Sequence, residues 1–148
     1  MNIRPATPDD VELLFDIRTS VLENHQSRGE LASIGVTPRS VGEMLRMTAR
    51  AWVAEVEGRA VGFSMADAAE GTVFAMFVRP GWEGRGAGRA LMRQAEAWLF
   101  GEGWDEIWLL TGRDPALRAN GFYRRLGWTE AEWSADGQVK YVKAKPGA

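Results

Sequence analysis

Residues Val78 to Gly88 read Val-Arg-Pro-Gly-Trp-Glu-Gly-Arg-Gly-Ala-Gly, with glycines alternating at Gly84, Gly86 and Gly88. Lacking Cβ atoms, these positions reach φ > 0 and let several backbone N–H groups converge on one anion, as a pyrophosphate cradle requires. A strand-like apolar run precedes the turn and a helical run, Arg89 to about Phe100, follows it. The positive end of a helix therefore points at the same place. Arg79, Arg85, Arg89 and Arg93 stand against Glu83 alone in this stretch, a local positive excess in a chain of formal charge −2. A dinucleotide fold needs G-x-G-x-x-G near its first strand with a downstream acid, and a P-loop needs Gly-Lys-Ser/Thr. Neither pattern is present.

Downstream, Ala119, Phe122, Tyr123, Gly127 and Trp128 form a second pattern on a predicted helix and its stop. Taken together, the two stretches resemble the GNAT superfamily of N-acetyltransferases. Val78, Pro80, Gly84, Gly86 and Gly88 match its acyl-CoA loop, and the second run matches its Ala-x-x-aromatic/aliphatic-Tyr-x-x-x-Gly-aromatic marker. The motifs stand in the family's order and separation, and the resemblance covers essentially the whole chain.

That resemblance implies acetyl-CoA as co-substrate, with no metal, and transfer of its acetyl group to a primary amine of a small molecule or peptide by direct attack in a ternary complex. It implies Tyr123 as the general acid for the departing thiolate, since a phenol of ordinary pKa about 10 is protonated at neutral pH. Backbone N–H groups near Phe77 and Val78 are the implied oxyanion donors. The implied cofactor-binding set is Phe77, Val78, Arg79, Gly84, Arg85, Gly86, Ala87, Gly88 and Arg89. Two positions depart from the family pattern: Glu83 replaces Arg or Gln, and Ala116 stands where many members have an asparagine. The strand Thr72 to Val78 also lacks the glutamate that many relatives use as a base. His25 or Glu23 is the expected base, with Asp67 and a water chain as further candidates. A non-catalytic acyl-CoA-binding or regulatory domain is the competing class. Homodimers are frequent among relatives, which makes a homodimer an expectation.

The elements that must position these groups are legible in outline. Thr7-Pro8-Asp9-Asp10 is a helix start, and Val11, Leu14, Ile17 and Val21 repeat at helical spacing behind it. The polar stretch from Glu23 to Val36 reads as a loop, closed by a second helix start at Thr37-Pro38. Trp52 to Val56 and Ala60 to Ala66 form a hairpin, and Thr72 to Val78 is a strand feeding the glycine turn. Glu106 to Leu110 is a buried strand, Asp114-Pro115 opens a helix closed by Gly127, and Trp128 to Ser134 pairs with Gln138 to Ala144. The order β-α-α-β-β-β-α-β-α-β-β gives an α/β class with a mixed, mostly antiparallel central sheet flanked by helices. Acceptor pockets in the family lie near the first helix, the loop after it and the terminal hairpin, here Leu22 to Pro38 and Trp133 to Gln138. The mixed charges there, Glu23, His25, Arg28, Glu30 and Asp136, suggest a polar acceptor or a peptide end.

A chain of 148 residues, 45% apolar and 26% charged, fits one globular domain spanning residues 1–148. Its lack of cysteine excludes a disulfide framework and an acyl-cysteine mechanism. The acidic balance argues against general binding to nucleic acid or to an anionic membrane. Without a leader-like or membrane-spanning apolar run, the expected location is cytoplasmic.

Overall fold

A computed structural model of the protein describes residues 1–22, 25–112, 118–134 and 136–147. Its seven strands are β1 (Asn2–Pro5), β2 (Ala49–Val56), β3 (Arg59–Asp67), β4 (Thr72–Val78), β5 (Glu106–Gly112), β6 (Thr129–Trp133) and β7 (Gln138–Ala144). The helices are α1 (Val11–Arg18), α2 (Arg28–Ser33), α3 (Pro38–Arg46), α4 (Ala87–Gly101) and α5 (Arg118–Arg125), with a 3-10 turn at Pro8–Asp10 leading into α1. One sheet runs in the order β1-β2-β3-β4-β5-β7-β6. Every neighbouring pair is antiparallel except β4 and β5. Among the described residues no helix is long and apolar enough to cross a membrane.

Alternation along the strands sends side chains to two cores. On one face α4 buries Leu91, Met92, Ala95 and Leu99 against Val61, Ile107 and Tyr141. On the other, α1, α2 and α3 bury Leu14, Ile17, Leu31 and Val41 against Val53, Phe63 and Met65. The Ser64 hydroxyl, fully buried, donates to the Leu91 carbonyl at 3.0 Å and ties α4 to the sheet. Glu96 on α4 receives the Lys143 ammonium at 2.6 Å and the Trp128 indole N–H at 3.0 Å, which fastens α4 to β7 and to Trp128 in the turn after α5.

The expected loop from Glu23 to Val36 contains a helix, α2. Ser27 and Glu30 form its capping box, each side chain bonding the other's backbone N–H at 3.1 Å. Only Leu31 of its six residues is buried, so the segment has no apolar period to betray it. The expected helix start at Asp114-Pro115, and Ala116, lie outside the described residues.

Two indoles clamp the β3–β4 turn: Trp104 donates to the Ala68 carbonyl at 2.7 Å and Trp108 to the Glu70 carbonyl at 2.9 Å. Gly71 sits under Trp104 with φ 67°, and a Cβ there would lie 2.6 Å from the indole. Gly71→Ala is therefore expected to cost about 2 kcal/mol through left-handed strain and overpacking. In thermal unfolding this reads as a Tm lower by roughly 4–8 °C.

Candidate active site

The site begins where β4 leaves β5. Their single register pair is Thr72 with Trp108, where the Trp108 N–H donates to the Gly71 carbonyl at 3.2 Å and the Thr72 hydroxyl donates to the Trp108 carbonyl at 2.8 Å. Beyond that point the two parallel strands separate. On its other edge β4 stays paired to β3, with a register shift between Met65 and Ala66 that leaves Phe74 as the extra residue. The Arg79 N–H donates to the Val61 carbonyl at 2.7 Å. Strand alternation then turns the Phe77 N–H toward β3 and the Val78 N–H toward the gap. Of the two expected oxyanion donors, Val78 has its amide on the open edge.

At the C-terminal end of β4 the chain enters the glycine turn. Gly81, Gly84 and Gly86 have φ of 89°, 75° and 90°. Gly86 is the N-cap of α4, and the first intrahelical bond of that helix runs from Ala90 N–H to the Gly86 carbonyl at 3.1 Å. The N–H groups of Ala87, Gly88 and Arg89 consequently have no intrahelical acceptor and lie at the positive end of a 15-residue helix. At Gly88 α5 packs close: a Cβ there would meet the Phe122 ring at 3.2 Å. The Glu83 carboxylate folds back to accept from the Gly81 N–H at 3.0 Å and lies 3.7 Å from Arg118. Its charge is thereby held by the turn itself.

The arginines divide. Arg89 lines the cleft together with Gly84, Gly86 and Gly88. Arg85 is exposed and sits over the Trp82 ring, 4.8 Å from its centroid. The Arg79 side chain is engaged elsewhere: its Nε donates to the Ala60 carbonyl at 2.9 Å, and it is not among the lining residues. It fastens the end of β4 to β3.

The cleft between β4, β5 and α5 encloses about 710 Å³ and is lined by Phe77, Val78, Thr111, Phe122 and Tyr123 besides the turn. Such a volume suits a cofactor arm. Tyr123 is 7% exposed, with its ring centroid 5.3 Å from that of Phe122 and 6.3 Å from that of Trp128. Gly127, at φ 92°, lets the Trp128 N–H return to the Tyr123 carbonyl at 3.1 Å, so the Gly-Trp pair seals the helix end beside the tyrosine. Burial, followed by the neighbouring Tyr141, pushes the Tyr123 phenol above its ordinary range. Tyr141 is spoken for: its hydroxyl donates to Asn120 Oδ1 at 2.9 Å.

Through the gap the cleft meets a second cavity of about 410 Å³ on the α1 face, and Val73, Phe74, Ala75, Phe77 and Leu110 line both. This second cavity is mostly apolar, with Arg18, Gln26, Thr72 and Gln138 as the polar members of its lining. Arg28 pairs with Glu12 at 2.9 Å and Asp16 at 3.2 Å, and Glu30 caps α2. Those charges are used in holding α2 to α1. His25 is exposed and lines neither cavity, while Glu23 lies outside the described residues. Asp67 accepts from the Ala69 N–H at 3.0 Å inside the β3–β4 turn. A residue that sequence reasoning passed over, Arg18, lines the apolar cavity at the end of α1. Its signal was a charge one step after Ile17 on a helix whose apolar stripe continues to Val21.

Residues 48–130, more than half of the chain, match the family model for the acetyltransferase (GNAT) domain. Among solved structures, the PaiA N-acetyltransferase from Thermoplasma acidophilum in complex with coenzyme A is similar with a TM-score of 0.79 at 14% identity, over 98% of this chain and 100% of that one. A ribosomal-protein-alanine N-acetyltransferase from Brucella melitensis has a TM-score of 0.76 at 18% identity, over 98% of this chain and 100% of its own. An aminoglycoside 6'-acetyltransferase type Ii has a TM-score of 0.72 at 19% identity, over 97% of each chain. At these identities the likeness is one of fold. No curated protein sequence matches significantly.

Proposed function

We propose that this chain, which belongs to the GNAT family of acetyltransferases, transfers an acetyl group from acetyl-CoA to a primary amine by direct attack in a ternary complex. The observation that carries this reading is the gap between β4 and β5, shared by the glycine-lined cleft with Tyr123 and by the apolar cavity on the opposite face. Acetyl-CoA supplies the activated acyl group: the amine nitrogen bonds the acetyl carbon as the C–S bond breaks, giving an amide and the free thiol. The names of two structural neighbours, acting on an aminoglycoside and on a ribosomal-protein alanine, support an amine as acceptor.

In this reading Gly84, Gly86, Ala87, Gly88 and Arg89 hold the pyrophosphate through their N–H groups and the field of α4. The Val78 N–H, on the open edge of β4, meets the charge that develops on the carbonyl oxygen. Tyr123 gives its proton to the departing sulfur. His25 is exposed and lines neither cavity, which supports loss of the amine proton to solvent water rather than to His25.

The pH profile tests these proton assignments. The acid limb of kcat/KM should follow the acceptor's own amine, moving up by about two units between a peptide α-amine and a lysine-like amine. Because the Tyr123 phenol is held above its ordinary range, it stays protonated and should cause no alkaline loss up to about pH 10. An acid limb that stays put for both amines would assign the base to the protein. Calorimetry with acetyl-CoA, paired with thiol release over a panel of amines, tests the whole reading. Binding without turnover on any amine would favour the non-catalytic, regulatory class.

A further inference from the structure

The cavity on the α1 face is walled by two aromatic rings of the sheet and by aliphatic side chains of the first two helices. The Phe63 and Phe77 rings stand 5.8 Å apart between centroids, and Leu14 of α1 and Leu31 of α2 line the same space. Its polar members Arg18, Gln26 and Thr72 are turned to protein partners. The Arg18 Nη2 donates to Gln26 Oε1 at 2.9 Å with the guanidinium seated 4.2 Å from the Phe77 ring centroid, and the Thr72 hydroxyl donates to the Trp108 carbonyl. A cavity of about 410 Å³ so lined has room for a ring or a short chain and holds it by taking hydrocarbon out of water.

This space has its own mouth. Ile34, the residue that caps the end of α2, is 64% exposed and lines this cavity but not the glycine-lined cleft. A ligand can therefore approach the gap between β4 and β5 from the α1 face while the donor occupies the cleft. A separate entrance suits a second substrate better than the tail of a longer acyl donor, which would arrive through the cleft and need no opening here. At the inner end Ala75 and Phe77 line both spaces, so whatever reaches the gap from this side passes between apolar walls.

We propose that the acceptor is a primary monoamine on a hydrocarbon body, which packs among Leu31, Phe63 and Phe77 and presents its nitrogen at the gap. This names the acceptor class for the acetyl-transfer reading above and rests on that reading. The polar acceptor or peptide end expected from the bordering segment gives way, because Arg28 pairs with Glu12 and Asp16 and Glu30 caps α2. A second ammonium, as in a diamine, would have to leave water for hydrocarbon.

The test is a series of n-alkylamines from propylamine to hexylamine, whose amines ionise alike. Each is titrated by calorimetry into the full chain saturated with CoA, and each is assayed for thiol release with acetyl-CoA. Affinity and kcat/KM should both rise about threefold per methylene, or about thirtyfold across the series. Hexylamine should exceed hexamethylenediamine by about tenfold or more. Ile34→Asp places a carboxylate at the exposed mouth and should cut that preference by about fivefold or more, while Ile34→Leu should keep it. The wild-type series stands even where Ile34→Asp fails to fold. A flat series, no binding of any alkylamine, a wild-type preference for the diamine, or a preference for hexylamine that is undiminished in folded Ile34→Asp would overturn the proposal. So would a gain with length that appears in the acyl chain of the donor and not in the amine. Length-dependent binding without acetylation would sink the transfer reading and leave the apolar site standing. Acetylation of aminoglycosides or peptides with alkylamines refused would do the reverse.

Discussion

Tyr123→Phe should lower kcat by about 10² or more while the affinity for CoA changes less than about threefold. The two halves of that expectation come from different parts of the side chain. The ring is packed edge-on against Phe122 and Trp128 and is 7% exposed, so a phenylalanine fills the same space and the cleft keeps its shape. The hydroxyl belongs to the cleft, where burial and Tyr141 keep it protonated. Removing it takes away a proton donor and little else. The chain's only other tyrosine supplies the control. Tyr141 is fully buried and its hydroxyl is engaged by Asn120, whose amide donates in turn to the Gly112 carbonyl at 3.0 Å. Tyr141→Phe should therefore lower stability by about 1 kcal/mol and leave kcat within a few-fold. An unchanged kcat in Tyr123→Phe, measured at saturating acetyl-CoA over the working pH range, would remove Tyr123 from the mechanism.

What could be read from residues alone follows the range of the interactions involved. The glycine turn is legible because φ > 0 is a demand on each residue by itself, and Gly84 and Gly86 meet it where expected, whereas Gly88 is already helical and is instead small beside the Phe122 ring. The starts of the helices at Thr7 and Thr37 are legible because a capping box closes within four residues. Ser27 and Glu30 form the same box, but α2 buries only Leu31, and a capping signal without an apolar stripe reads as loop. The splay of β4 from β5 begins beyond Thr72 and Trp108, which are 36 residues apart in sequence. No local pattern announces where two strands so far apart in sequence will part. Arg18 is similar: its place in the wall of the second cavity depends on Phe77, a residue of a distant strand. Motifs gave the glycine-lined cleft, and tertiary packing shapes the cavity on the α1 face.

Gly86→Glu should raise the dissociation constant of CoA by about 10² or more, and the reason is charge rather than crowding. Gly86 has φ 90° and ψ −3°, so any side chain there is held in a conformation that costs about 1–2 kcal/mol. Space is not the obstacle, since a Cβ at Gly86 would meet only the Met1 methyl, at 3.9 Å. A carboxylate at this N-cap would compete for the N–H groups of Ala87, Gly88 and Arg89, which have no intrahelical partner. It would also stand near the pyrophosphate as a like charge, where a separation of about 5 Å at an effective dielectric of about 20 costs roughly 3 kcal/mol. Gly86→Gln separates the terms, because it carries the same backbone strain and nearly the same bulk without the charge. Most of the loss should be absent from Gly86→Gln, and the difference between the two variants should shrink as salt is raised, as a partly exposed charge pair requires. Equal losses in the two variants would assign the effect to backbone strain. Undiminished CoA affinity in folded Gly86→Glu would mean that the phosphates are held away from the start of α4, and the assignment of the turn would fall with it.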